Sequence, residues 1–346
     1  MDSRVLDEQG SLARYIAKTI LKGITGEVTI MPFELAASPT TWGVDFADGP
    51  SNPPWSEVLD DIAAAGLNWL ELGPIGYLPE DPGVLGSELR ARDLRTTGTF
   101  LFRPYWDPTA RSEIMNSARR TSALIAALGG DRLVLVDQPS PERAATAGNS
   151  DLARRMTREE REPYFDNIAS IGRVARDDYG VRAVVHPHAG TYIEFEDEID
   201  EALVALPAEL VGLCVDTGHS IFAGLDPAEV IRRYPDRVEH MHLKDIDAEV
   251  LARVRAGRLG FWEAIRQRIF VPVGEGVVDV VELDSALNDI GFDRPITLEQ
   301  DRDPTREGVP IEDLRRSIDY FRQTIEHLPE SRTRGDSQNQ VVMPGM

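Results

Sequence analysis

Short apolar runs alternate with helix-period stripes along most of the chain. The runs are V-T-I-M-P-F-E-L (28–35), L-N-W-L-E-L-G (67–73), T-T-G-T-F-L-F (96–102), R-L-V-L-V-D (132–137), V-R-A-V-V-H-P-H (181–188), V-G-L-C-V-D (211–216), V-E-H-M-H-L-K-D (238–245) and P-I-T-L-E-Q-D (295–301). Stretches with apolar residues at helical spacing lie between them, at 55–66, 110–128, 157–178, 196–205, 227–233, 280–290 and 311–328. In the last, Ile311, Leu314, Ile318, Phe321, Ile325 and Leu328 form one stripe. Eight strand–helix repeats without a linker predict an α/β chain folded as a (β/α)8 TIM barrel. A doubly wound open sheet would carry a glycine-rich phosphate turn after its first strand, and none is present.

The ends follow a different pattern. Residues 1–26 carry Leu12, Tyr15, Ile16, Ile20, Leu21 and Ile24 at helical spacing, predicting an N-terminal helical extension. The barrel is expected over 27–328, followed by a polar, aperiodic tail over 329–346. Residues 246–279 are longer than one connection needs. An insertion after the seventh strand sits at the catalytic mouth, where it can act as a lid.

Charge narrows the partners. A net charge of -22, from 59 acidic and 37 basic residues, disfavours nucleic acid and anionic membranes. The single cysteine, Cys214, excludes an internal disulfide and is expected in the core. No apolar h-region opens the chain and no run approaches 18 apolar residues, so we expect a cytoplasmic protein.

In a barrel of this kind, chemistry gathers at the C-terminal ends of the strands. Those ends present Glu71, Asp137, His186, His188, Asp216, His219, His240, His242, Lys244, Asp245, Glu299 and Asp301. Five of the six histidines fall at three consecutive strand ends. Mixed imidazole and carboxylate sets bind Mn²⁺, Co²⁺, Fe²⁺ or Zn²⁺, which fits Lewis-acid work on a carbonyl. His186 and His188 share one strand face, as do His240 and His242. In D-T-G-H, Gly218 is expected to permit a sharp turn that returns His219 over the mouth. Lys244 is either a general acid or oxyanion partner, or a salt bridge to Asp245 or Glu299. Trp42 or Trp55 either meets a substrate ring or packs. Arg302 is either a substrate contact or a solvated loop charge.

Together, T-W-G-V-D, A-A-G-L-N-W-L-E-L-G, H-P-H-A-G-T-Y-I-E, V-D-T-G-H, H-M-H-L-K-D, V-P-V-G-E-G-V-V-D and L-E-Q-D resemble the xylose-isomerase-like sugar isomerases and epimerases, and within them the inosose dehydratases. The resemblance covers about residues 28–328. It implies metal ligands at Asp216, His242 and Glu299. The fourth place, commonly a glutamate in the wider superfamily, is His186 here, with His188, Glu71, Asp137 or water as substitutes. It further implies one divalent metal, manganese before cobalt, iron or zinc. His188, His219 and Lys244 become the catalytic groups, and Trp42, Glu71 and Arg302 the substrate contacts. The implied reaction removes a proton next to the carbonyl of a keto-polyol or keto-sugar and then eliminates a hydroxyl. An isomerase or epimerase reprotonates the same enolate. The same superfamily includes the barrel subunit of C-glycoside deglycosidases, which act on 3-oxo-glycosides and pair with a small β-rich subunit, and the extra segments would suit such a partner. We therefore expect a homo-oligomer or such a hetero-oligomer. A phosphodiesterase of the endonuclease IV type is the remote alternative, set back by the charge. A non-catalytic sugar sensor has no need of Asp216, His242 and Glu299.

Overall fold

The computed structural model describes residues 33–303, 305 and 308–326. The expected helical extension and polar tail, and most of the run 28–35, lie outside the described residues. Eight parallel strands close into a barrel: β1 (Leu35–Ala37), β2 (Trp69–Glu71), β3 (Arg95–Arg103), β4 (Arg132–Asp137), β5 (Arg182–His186), β6 (Val211–Asp216), β7 (Val238–Leu243) and β10 (Ile296–Leu298). β10 pairs with both β7 and β1 and shuts the ring. The expected barrel is therefore the observed one. Two short strands, β8 (Asp245–Ile246) and β9 (Phe270–Val271), form a separate antiparallel pair.

Buried parallel strands read as near-continuous apolar runs because helices cover one face and the barrel interior the other. The interior holds Phe100, Val134, Val136, Val184 and Cys214. Alternation along each strand then sends His186, Asp216, His240 and His242 inward, above or beside these residues. Outside, helix Trp55–Ala64 buries Val58, Leu59 and Ile62 completely. Each such side chain contributes about 1.5–3 kcal/mol.

Three short helices did not stand out as periodic stretches. Pro82–Ala91 carries Gly83 and Gly86 and buries only Leu85, Gly86 and Leu89, so its apolar stripe is thin. Its start is set instead by Asp81, whose carboxylate accepts from the Val84 N–H at 2.8 Å, with Pro82 in the first turn. Pro141–Thr146 and Thr217–Phe222 are each only six residues long.

The 246–279 insertion is folded. Helices Ala248–Gly257 and Phe261–Arg266 stand between β8 and β9, and their apolar faces share a core with Phe222, Ile246, Ile269 and Phe270. Asp245 fastens its return: Oδ2 accepts from the N–H groups of Gly274 and Gly276, and Oδ1 from those of Ile246 and Val278.

Candidate active site

The site begins with a break in the sheet. Register between β2 and β3 shifts between Leu70 and Glu71, so that Glu71 faces Gly98. Gly98 has φ 152°, and a Cβ there would lie 1.8 Å from the Arg132 carbonyl oxygen, so only glycine fits. Bulges of this kind re-aim neighbouring side chains. Glu71 is fully buried beneath the mouth, where its Oε2 lies 2.9 Å from both His240 Nε2 and His242 Nε2. Burial pushes its carboxyl up, but the two imidazoles outweigh that and hold it at about 2. The structure thus places Glu71 under the site rather than against the substrate space.

Above it, β6, β7 and β10 bring Asp216, His242 and Glu299 together. One donor atom from each lies within 4.8 Å of the others. Register sets this directly, since Asp216 pairs with His242 and His242 with Thr297. His242 Nδ1 is 3.2 Å from Glu299 Oε2 and 3.7 Å from Asp216 Oδ2, without hydrogen-bond geometry to either. Asp216 Oδ1 caps helix Thr217–Phe222 by accepting from the His219 N–H at 2.8 Å, while Oδ2 has no hydrogen-bond partner. His186 Nδ1 is also buried without one, and its Nε2 lies 3.5 Å from Asp216 Oδ2. His186 groups with Asp216 and with His242, but no such cluster joins it to Glu299. Buried N/O donors without hydrogen-bond partners, Asp216 Oδ2, His242 Nδ1 and His186 Nδ1, fit a divalent cation. Asp216, His242 and Glu299 are the residues placed to hold it, with His186 alongside.

Lys244 closes the other side. Its Nζ is 2.8 Å from Asp301 Oδ1, 3.1 Å from Glu299 Oε2, 3.4 Å from Asp216 Oδ2 and 3.1 Å from His219 Nε2. Burial would lower its pKa, yet Asp216, Asp301 and Glu299 lift it well above the usual range, so it stays charged. Its ion partners therefore include Glu299 but not Asp245, which is committed to the backbone. His188 and His219 stack with ring centroids 3.8 Å apart. Burial, then neighbouring positive charge, holds both well below the ordinary histidine range, so both are neutral. His188 Nδ1 lies 2.9 Å from the Ala189 carbonyl, which requires a proton on Nδ1 and leaves Nε2 as the lone-pair nitrogen.

His219 is brought in differently than the sequence suggests. Gly218 is helical and not left-handed. A Cβ there would lie 2.7 Å from Lys244 Cβ and 2.8 Å from the Phe270 ring. Close packing, not a sharp turn, is what the glycine permits.

A cavity opens over these groups, and its polar floor includes Asp45, His186, His188, His242, Lys244, Glu299 and Asp301. Phe100, Phe102, Val136, Phe261, Trp262 and Ile265 form an apolar wall, half of it supplied by the insertion. Trp42 is not in this lining: its indole is buried and donates to Asp61 Oδ2 at 3.0 Å. Nor is Arg302, which pairs with Asp313 at 2.7 Å. The cavity residue of T-W-G-V-D is instead Asp45, which sequence reasoning passed over for the tryptophan. Burial, with Asp301 nearby, raises its carboxyl to about 7. An acid ending a motif that follows β1 was the available signal. Asp137 lies behind the wall, accepting from the Tyr105 N–H at 3.0 Å and the Tyr164 hydroxyl at 3.1 Å.

A family profile described as xylose isomerase-like TIM barrel matches residues 59–324. Among relatives, an inosose dehydratase of Geobacillus kaustophilus is 27% identical over 308 residues, covering 87% of this chain and 98% of that protein. The rhizopine catabolism protein MocC of Rhizobium meliloti is 28% identical over 287 residues, covering 81% and 85%. Solved structures share the fold at lower identity. A D-allulose 3-epimerase from Methylomonas sp. in complex with D-allulose has a TM-score of 0.62 at 18% identity, covering 85% of this chain and 99% of that one. The IolI protein with a binding zinc atom has a TM-score of 0.61 at 16% identity, covering 85% and 97%.

Proposed function

The chain belongs to the xylose isomerase-like TIM barrel family, and from that premise we propose that it is a divalent-metal-dependent lyase that removes a proton next to the carbonyl of a keto-polyol or keto-sugar and eliminates a β-hydroxyl. Its class, a sugar-modifying enzyme of the lyase or isomerase/epimerase type, follows from its relatives. The observation that carries the finer reading is the convergence of Asp216, His242 and Glu299 beside a neutral, oriented His188. The inosose dehydratases among the relatives support elimination.

Asp216, His242 and Glu299 would hold the ion, with His186 as fourth ligand and manganese as first candidate ahead of cobalt, iron and zinc. When bound, the ion supplies Lewis acidity that polarises a ketone oxygen and acidifies the neighbouring C–H. His188 takes the proton through Nε2, because its Nδ1 proton is held by the Ala189 carbonyl. Lys244 stays protonated and offers positive charge to developing oxyanion character. Asp45, whose carboxyl is raised to about 7, is placed to donate a proton to the departing hydroxyl. His219, between His188 and Lys244, is buried outside the cavity lining, so it orients both rather than meeting substrate hydroxyls itself.

A second reading has one observation in its favour. The apolar wall of Phe100, Phe102, Phe261, Trp262 and Ile265 suits a 3-oxo-glycoside with an apolar aglycone, as for the barrel subunit of a C-glycoside deglycosidase. That reading adds a small β-rich partner where the first needs only a homo-oligomer. Both place the protein in the cytoplasm. Among the described residues no helix is long and apolar enough to cross a membrane.

Metal analysis of protein purified without chelator tests the reading, with product analysis on an inosose, a ketohexose and a 3-oxo-glucoside. About one divalent ion per chain and a dehydrated product support it. Metal-free protein, or cleavage of a phosphodiester with no reaction on any carbonyl substrate, overturns it.

A further inference from the structure

We infer that Glu71 is a positioning residue for the metal site, fixing which nitrogen of His242 faces Asp216 and Glu299. The inference rests on the metal-site reading above. A carboxylate with no exposure and outside the cavity lining is costly to keep in a barrel interior. Here it is held by two imidazoles alone: Oε2 meets His242 Nε2 and His240 Nε2, each at 2.9 Å, and Oε1 has no hydrogen-bond partner.

A single oxygen, Oε2, meets both Nε2 atoms at 2.9 Å, and as their shared acceptor it places a proton on Nε2 of each ring. For His242 this leaves Nδ1 as the nitrogen that can give up its proton to a metal. Nδ1 is the atom that points at the donor set, 3.2 Å from Glu299 Oε2. A half-turn of the ring would break the bond to Glu71, so orientation and tautomer are fixed together. His240 approaches the same oxygen from its own place on β7, separately from His242. The shift in register at Gly98 aims Glu71 at this point. A carboxylate behind a ligating histidine also makes the imidazole a stronger donor, and losing one typically weakens metal binding by about 10–100-fold.

The test is Co²⁺ affinity of the full chain, measured by competition with a chromophoric chelator, for wild type, Glu71→Gln and His240→Gln. Glu71→Gln is expected to raise Kd about 10–100-fold. His240→Gln leaves the Glu71–His242 bond intact and is expected to stay within about threefold of wild type. Thermal unfolding without metal identifies a variant that does not fold. Independently, ¹⁵N NMR of zinc-loaded wild type is expected to show His242 protonated on Nε2 and metallated on Nδ1. Wild type that binds no metal overturns the functional reading itself. Wild type that binds, with Glu71→Gln binding equally well, overturns only this inference. So does an equal loss in both variants, which would mean packing alone, or a zinc-loaded His242 metallated on Nε2.

Discussion

In the proposed reaction, proton traffic would depend on two side chains whose environments push their pKa values in opposite directions. His188 is neutral because burial opposes its charge, and Asp45 keeps its proton for the same reason. The proposed reaction would use one as base and the other as acid at the same pH. Asp45→Asn is expected to separate the two halves of the reaction. It should lower formation of the dehydrated product by about 100-fold or more while C–H exchange with solvent persists. Product analysis beside deuterium exchange by NMR checks this, and equal loss of both would show that Asp45 does not act as the acid. The histidine cluster was legible in the sequence because five histidines at three consecutive strand ends, with acids at the same level, are hard to explain as separate core residues. Asp45 was not, because a loop carboxylate has no period to mark it. Glu71 was expected at the mouth but lies beneath it against His240 and His242, since a bulge at Gly98 leaves no trace in an apolar pattern.

Elements carry the site through their connections. The turn H-P-H-A-G after β5 is tied to the helix after β4 by a fully buried Arg143. Arg143 bonds Glu198 at 2.7 Å and Glu194 at 3.3 Å, and Glu194 accepts from the Gly190 N–H at 3.0 Å. Arg143→Met would leave buried Glu194 without its cation and Glu198 with only Arg155, at 3.4 Å, and is expected to cost about 3–5 kcal/mol, read by urea denaturation. A change below about 1 kcal/mol would mean that the loops are held by something else.

Asp137, at the end of β4, gives a pH signature. Burial raises its carboxyl from 3.8 to about 8 despite the bonds from Tyr105 and Tyr164. The folded state therefore favours the protonated acid. Its contribution to stability is fully present below about pH 4 and is lost as pH rises through about 8. Asn keeps the acceptor for Tyr105 and places an N–H₂ toward the Tyr164 oxygen. Asp137→Asn is thus expected to be at least as stable as wild type at pH 8 and to show a flatter stability–pH curve between pH 4 and 8. Denaturant midpoints across that range check it, and a marked loss at pH 8 would contradict it. The strands themselves could be read from apolar runs because both of their faces are buried. The helix Pro82–Ala91 could not, since capping by Asp81 rather than a broad apolar stripe defines it.

Across the whole molecule, a closed parallel barrel turns separate sequence motifs into one constellation. Residues as distant as Glu71 and His242 touch because β2 and β7 face the same interior. A net charge of -22 suits capture of a cation and a neutral sugar better than a polyanion. Since a bound ion would bridge β6, β7 and β10, its removal should loosen the fold as a unit. At a hundredfold excess over Kd, an ion that binds only the folded state adds about 2.7 kcal/mol. Chelation is expected to lower Tm by several degrees, and re-addition of Mn²⁺, but not Na⁺, to restore it. An unchanged Tm in chelator would argue against a metal joining these strands.

The most direct measurement is solvent deuterium exchange at the carbon next to the carbonyl. An inosose or 3-oxo-glycoside in D₂O would be followed by NMR with metal-loaded enzyme, chelated enzyme and His188→Gln. Exchange is expected only with the metal-loaded wild type, falling by about 100–10,000-fold in His188→Gln while that variant still holds its ion. Exchange that proceeds equally in chelator, or survives the loss of His188, would contradict proton abstraction by His188 beside a metal held by Asp216, His242 and Glu299.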